Sequence, residues 1–193
     1  MPTQQSQLET YPFVVDQEKM IEQMGLFGWR SATPQEIPEL VALGERLIGD
    51  KLADAETVEQ VHGVTGITAW AFGAPIEGIV LSVPLSVAGL EALQKDKFQP
   101  GSPDSMHIAA LGAPCAACYI GIYAGATHDA RKAVMTGAGV IRMGLFSQVP
   151  CFARAATDDG ARSMESLGWA PAPFGPDKLW MQGALTVPER KVA

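Results

Sequence analysis

At 193 residues the chain has room for one sizeable core and too little for two ordinary domains. Hydrophobic residues make up 47% and charged residues 18%, a balance that excludes a disordered chain and fits a soluble globular one. The formal net charge of −7, with no basic block or basic-aromatic stripe, argues against nucleic acid, and no apolar run approaches the ~20 residues of a membrane span.

Residues 1–25 are polar and mixed, with a weak helical pattern over Gln17–Met24, and read as an N-terminal extension outside the core or as an arm that packs on the domain or a neighbouring subunit. The start, Met1-Pro2-Thr3-Gln4-Gln5, lacks the charged and apolar regions of a secretory signal, so cytoplasmic residence is the expectation. Residues 26–193 read as one domain. Leu26–Arg30 is a first strand. Thr33 as N-cap, Pro34 at the first helical position and Glu36 as partner in a capping box then start a helix. Its buried stripe is Ile37, Leu40, Val41, Gly44, Leu47 and Ile48, and Gly49 suits a left-handed stop. A second helix is expected over Ala55–His62, capped by Asp54 and ended by Gly63.

Thr65–Phe72 and Glu77–Pro84 form a hairpin through Gly73-Ala74-Pro75-Ile76, and Ser86 caps a helix over Val87–Gln94. The segment Phe98–Leu111, rich in Gly, Pro, Ser and Asp, is either a loop near the site or a lid. Tyr119–Ala124 alternates as a strand, with Tyr119, Gly121 and Tyr123 on one side and Ile120, Ile122 and Ala124 on the other. After Gly125–Asp129 the period becomes helical, with Ala130, Ala133, Val134, Gly137, Ala138, Ile141 and Leu145 on one stripe. A strand entering a helix through a short loop leaves free N–H groups at the helix start, which make an anion seat. A strand over Val149–Ala156, a helix over Asp158–Leu167 closed by Gly168, a Pro-rich turn and a strand over Lys178–Leu185 complete one α+β domain.

This order of elements over about residues 26–185 resembles the GNAT superfamily of acyl-CoA-dependent N-acyltransferases. Three stretches carry the likeness: the hairpin Gly73–Val80 with a glycine after its tip, the central strand-loop-helix, and Val149–Trp169, which resembles the family's closing strand and helix. The resemblance implies a central, mostly antiparallel mixed sheet flanked by helices, its two central strands splayed to admit the pantetheine arm of acetyl-CoA or another acyl-CoA. It implies that main-chain groups of Ile122, Tyr123 and Ala124 bind that arm, and that the pyrophosphate sits on His128, Asp129, Ala130, Arg131, Lys132 and Ala133. Against the family pattern Arg/Gln-x-x-Gly-x-Gly/Ala, His128–Ala133 keeps only the last small residue, while Arg131 and Lys132 add positive charge. Met164 stands where the family often has a tyrosine acid, and the strand that often carries a glutamate base has no carboxylate.

Tyr119 and Tyr123 are the candidate acids, each able to protonate a leaving thiolate, with cross-strand packing as the alternative role. His107 is the candidate base, since an imidazole near its usual pKa suits proton removal at neutral pH. His128 fits phosphate contact or capping, and Asp129 fits the N-cap. Arg142 and Arg154 are candidates for steering phosphates, Trp70 and Phe72 for an acceptor pocket, and Glu77 faces solvent. Cys115, Cys118 and Cys151 read as buried thiols rather than as a redox pair or metal ligands, and no metal is expected. The function implied is transfer of an acyl group, most simply acetyl, to an amine of a small molecule or protein. The alternatives are an acyl-CoA-binding protein without turnover and a fold retained for dimerisation or partner binding; a homodimer stays open.

Overall fold

The computed structural model describes residues 14–185. Residues 1–13 of the expected arm lie outside them. Helix α1 (Gln17–Gly25) starts where the Asp16 side chain accepts from the Lys19 N–H, and it turns Met20 and Met24, both 0% exposed, into the largest core cluster. Of the two expectations for the arm, an extension outside the core or an arm that packs on the domain, residues 17–25 follow the second.

Strand β1 (Trp29–Ser31) leads into a turn in which the Glu36 carboxylate accepts from the Thr33 N–H at 3.0 Å and the Thr33 hydroxyl at 3.1 Å. Arg30 donates to the same carboxylate at 3.0 and 2.6 Å; the Thr33 amide bond first, and the Arg30 bonds after it, hold that carboxyl below the usual range. Half of the expected capping box forms, and helix α2 (Ile37–Ile48) begins later than Pro34 because the Thr33 hydroxyl is spent on Glu36. Helix α3 (Ala55–Thr65) is capped by Asp54 as expected but runs past Gly63 to a left-handed Gly66 at φ 69°. The extra turn buries Thr65, whose hydroxyl pairs with that of Thr68 at 2.7 Å.

His62 does more than end this helix. Its Nδ1 accepts from the Ala69 N–H at 3.1 Å, and its Nε2 lies 3.1 Å from the Ser31 hydroxyl, so one ring ties α3 to two strands. Burial pushes its pKa below the ordinary value, partly offset by a backbone hydrogen bond at Ala32.

The remaining elements are β2 (Ala69–Phe72), β3 (Gly78–Leu85), α4 (Val87–Gln94), β4 (Ala117–Gly125), α5 (His128–Gly139), β5 (Cys151–Arg154), α6 (Asp158–Ser166), β6 (Ala170–Pro171) and β7 (Leu179–Gln182). The seven strands form one sheet in the order β1-β2-β3-β4-β5-β7-β6, with every neighbouring pair antiparallel except β4 and β5. It is an α+β domain, with the mostly antiparallel mixed sheet and flanking helices that the sequence implies. Trp70 is 0% exposed in the core and Phe72 packs at 5.5 Å against Trp29, so neither lines an acceptor pocket. The Pro-rich turn contains the short β6, and α5 continues as a π-helical segment over Val140–Leu145. That segment buries Arg142, which donates to the carbonyls of Phe146, Val149 and Gly183 and to Gln182 Oε1 at 2.6 Å. Arg142 is thus a buried clamp and is not placed to steer phosphate.

Candidate active site

The centre of the sheet is irregular in two ways, and both arise on β4. In the pairing with β3, Leu81 faces Ile122 and Ser82 faces Ile120, which leaves Gly121 as an extra residue. Such a bulge reverses the alternation beyond it. Cys118, Ile120 and Tyr123 accordingly pack with the core on the α1 and α5 side, whereas Ala117, Tyr119, Ile122 and Ala124 pack on the side of α2, α3 and α4. The expectation that Tyr119 and Tyr123 share a face is therefore corrected; the bulge sends them to opposite sides of the sheet.

The second irregularity is a fork. Strands β4 and β5 pair in parallel only at Cys118 with Cys151, Tyr119 with Phe152 and Ile120 with Ala153. Beyond that point β4 continues to Gly125 while β5 ends at Arg154. From Gly121 onward the edge of β4 toward β5 has no strand partner among the described residues, and Gly121 is exposed. Buried or half-buried main-chain groups without partners are uncommon and mark a place where a ligand can complete the pairing.

Above the fork lies the start of α5. Thr127 is its N-cap, accepting from the Ala130 N–H at 3.2 Å and donating to the Glu77 carboxylate at 3.2 Å. Glu77 is half-buried, not solvent-facing, and Asp129 is the second helical residue rather than the cap. The N–H groups of His128 and Asp129 have no acceptor among the described residues, and Arg131 and Lys132 are exposed without ion partners there. Gly125 makes this approach feasible: a Cβ there would stand 2.6 Å from the Ala130 carbonyl carbon and the Arg131 nitrogen. On the far side of α5 the Trp29 indole donates to the Ala133 carbonyl at 3.0 Å, which fixes the helix on the sheet.

On the α4 side of the fork a cavity of about 350 Å³ opens between β4, β5 and the loop after α4. Tyr119 and Arg154 reach it from the two strands, Leu93, Phe98 and Pro176 give apolar walls, and Asp96 and Ser102 stand among its polar groups. Tyr119 is 4% exposed, its ring meets Phe98 edge-on at 5.3 Å, and its hydroxyl has no hydrogen-bond partner among the described residues. Burial pushes its pKa up, partly offset by Arg154.

His107 sits in a 3₁₀ turn after Asp104 and packs at 6.2 Å on Phe98 from outside the cavity lining, with its Nδ1 buried and unpartnered. The structure thus brings Tyr119 into the cavity and leaves His107 behind Phe98. Tyr123 is half-buried against the opposite core, near Cys118, Cys151 and Arg142, and burial raises its pKa well above the ordinary value. Cys118 and Cys151 face each other on the first rung of the β4–β5 pairing; burial pushes Cys118 up, while the Cys118 hydrogen bond and the Arg142 guanidinium hold Cys151 down. Cys115, also buried, is pushed up to about 12. Among the described residues no three His, Cys, Asp or Glu side chains cluster as a metal site, and no helix is long and apolar enough to cross a membrane.

Sequence reading missed Asp96, Phe98 and Ser102 as site residues and offered Arg154 only as a phosphate-steering group. The one signal for Phe98 and Ser102 was the Gly- and Pro-rich segment Phe98–Leu111, whose start lines the cavity; Asp96 lies before that segment and had none.

No family model and no curated protein matches the chain. Among solved structures it is similar to one described as histone acetyltransferase HPA2 and related acetyltransferase from Corynebacterium glutamicum, at 14% identity and a TM-score of 0.47, over 83% of this chain and 97% of that one.

Proposed function

We propose that the chain is an acyl-CoA-dependent N-acyltransferase. The observation that supports this reading above the others is the fork: a strand edge with free main-chain groups, an anion seat at one end and a cavity of small-ligand size at the other. Acyl-CoA supplies an activated thioester: a C–N bond to the amine forms, the C–S bond breaks, one proton leaves nitrogen and one ends on sulfur.

The free edge of β4 at Gly121, Ile122, Tyr123 and Ala124 pairs with the amide groups of the pantetheine arm, and one N–H polarises the thioester carbonyl. The His128 and Asp129 amides hold the pyrophosphate at the start of α5, with Arg131 and Lys132 adding charge and Ala130 and Ala133 keeping the inner helix face small. Tyr119 is the acid: its phenol, protonated at neutral pH, lines the cavity, and its O–H is available to the departing sulfur. Leu93 and Phe98 keep water from the reacting atoms.

A second reading, acyl-CoA binding without turnover, draws support from Met164, which offers no proton at the place of the family's tyrosine and packs on the core. Thermal denaturation with acetyl-CoA, followed by a thiol-release assay over an amine panel, separates the two. A ligand at ~100 Kd adds ~2.7 kcal/mol, which for a chain of this size is a rise of about 5–10 °C. A rise with thiol release supports transfer; a rise without release supports binding alone; no rise with any acyl-CoA overturns both.

A further inference from the structure

We infer that the cavity beside the fork takes a small amine that carries a carboxylate, an acceptor of free amino-acid type with an apolar side chain, rather than a lysine presented by a protein. The inference rests on the acyl-transfer reading and adds the substrate class.

Arg154 closes β5 on the same face as Tyr119. Like Arg46 and Arg131 it has no hydrogen bond or ion pair among the described residues, and of these three arginines it is the one that lines the cavity. The planar guanidinium of an unengaged arginine at a cavity rim matches a carboxylate in two parallel hydrogen bonds. The adjoining walls, Leu93, Phe98 and Pro176, are apolar and of a size for one aliphatic or aromatic side chain. Asp96, held in the left-handed region at φ 55°, puts the one carboxylate of the lining among the loop residues, where it meets the acceptor's ammonium before that group loses its proton. Arg154 and Asp96 together give a cationic and an anionic group in one cavity, which suits a zwitterion. A protein lysine brings its charge on a long stem and has no carboxylate for Arg154.

The test uses the full chain with L-leucine, L-phenylalanine and L-methionine, each compared with its carboxamide. The amides have the less basic amine, so more of it is free to attack and a faster rate with the acids cannot come from basicity; a binding preference that comes from the ammonium at Asp96 instead of the carboxylate survives Arg154→Gln. Binding by calorimetry in the presence of CoA, and KM from thiol release with acetyl-CoA, are read for the wild-type chain, Arg154→Gln and Arg154→Lys. The inference expects the acids to bind about ten- to a hundredfold tighter than the amides, Arg154→Gln to abolish that ratio, and Arg154→Lys to restore part of it. Equal binding of acids and amides, or a ratio that survives Arg154→Gln, overturns the substrate class while leaving acyl transfer standing. Arg154→Gln weakening CoA with the ratio unchanged assigns the arginine to the nucleotide and likewise overturns it. Absence of CoA binding and thiol release overturns the acyl-transfer reading, and this inference with it.

Discussion

Replacing Gly125 by alanine probes the geometry on which the anion seat depends. Gly125 ends β4 where the first turn of α5 lies against it, and an added Cβ would meet the Ala130 carbonyl carbon and the Arg131 nitrogen at 2.6 Å, about 0.8 Å inside the 3.4 Å at which ordinary contact begins. Both atoms are main chain, so no side chain can swing aside. Either the end of β4 or the start of α5 must move by most of that distance. Its far end cannot follow freely, because Trp29 holds the Ala133 carbonyl at 3.0 Å and the Ala126 N–H donates to the Glu77 carbonyl at 2.7 Å. Overpacking of this kind costs ~1–3 kcal/mol, equivalent to a fall in Tm of about 2–12 °C for a chain of this length. A displacement of most of an ångström also carries the His128 and Asp129 amides out of hydrogen-bond range of an anion positioned by the wild-type fork. Loss of one charge-assisted bond weakens acetyl-CoA by at least about tenfold. Differential scanning fluorimetry and calorimetric titration measure the two effects. An unchanged Tm refutes the packing argument. A lowered Tm with wild-type affinity refutes the placement of the phosphate seat at α5.

Arg131→Glu reverses an exposed charge beside the same seat and is expected to weaken CoA by about tenfold at low salt, less at high salt, with Tm within a degree or two of wild type. Equal affinity at low salt would place the pyrophosphate elsewhere. Tyr119→Phe is expected to lower kcat by 10²–10⁴-fold with acceptor KM little changed, whereas Tyr123→Phe, on the other face of the sheet, has the smaller effect; the reverse order would move the acid to Tyr123. Because the folded state holds His62 below the ordinary value of 6.5, the unfolded chain takes up the proton first. Stability from this residue is complete above about 6.5 and declines as pH falls below it, and denaturant titrations of His62→Gln should show a flatter dependence in that window.

Much of the fold was legible because its signals are local. Asp54 and Ser86 cap the helices they precede, Gly49 is left-handed, and the hairpin turns where Gly73 and Pro75 stand. The strand-loop-helix over Tyr119–Phe146 carries its own periodicity, whereas the parting of β4 from β5 after Ile120 was implied only by the resemblance to the GNAT superfamily. What failed was non-local. Tyr119-Ile120-Gly121-Ile122-Tyr123 reads as unbroken alternation, and only the partner strand reveals that Gly121 is an extra residue that throws Tyr123 to the opposite face. Residues 17–25 looked polar because two buried methionines in nine residues make a narrow stripe, enough to dock a short helix but weak as a pattern. The cavity is assembled from β4, β5 and the loop after α4, three segments separated by tens of residues, so neither Asp96 nor the role of Arg154 could be read from spacing.

Hydrogen–deuterium exchange of the full chain, with and without acetyl-CoA, tests the main-chain account most directly. The account predicts that protection concentrates at the amides on the β5-facing edge of β4 over Gly121–Gly125 and at those of His128 and Asp129, which have no partner among the described residues. Binding that leaves those amides exchanging as before, and protects another part of the sheet instead, would contradict it.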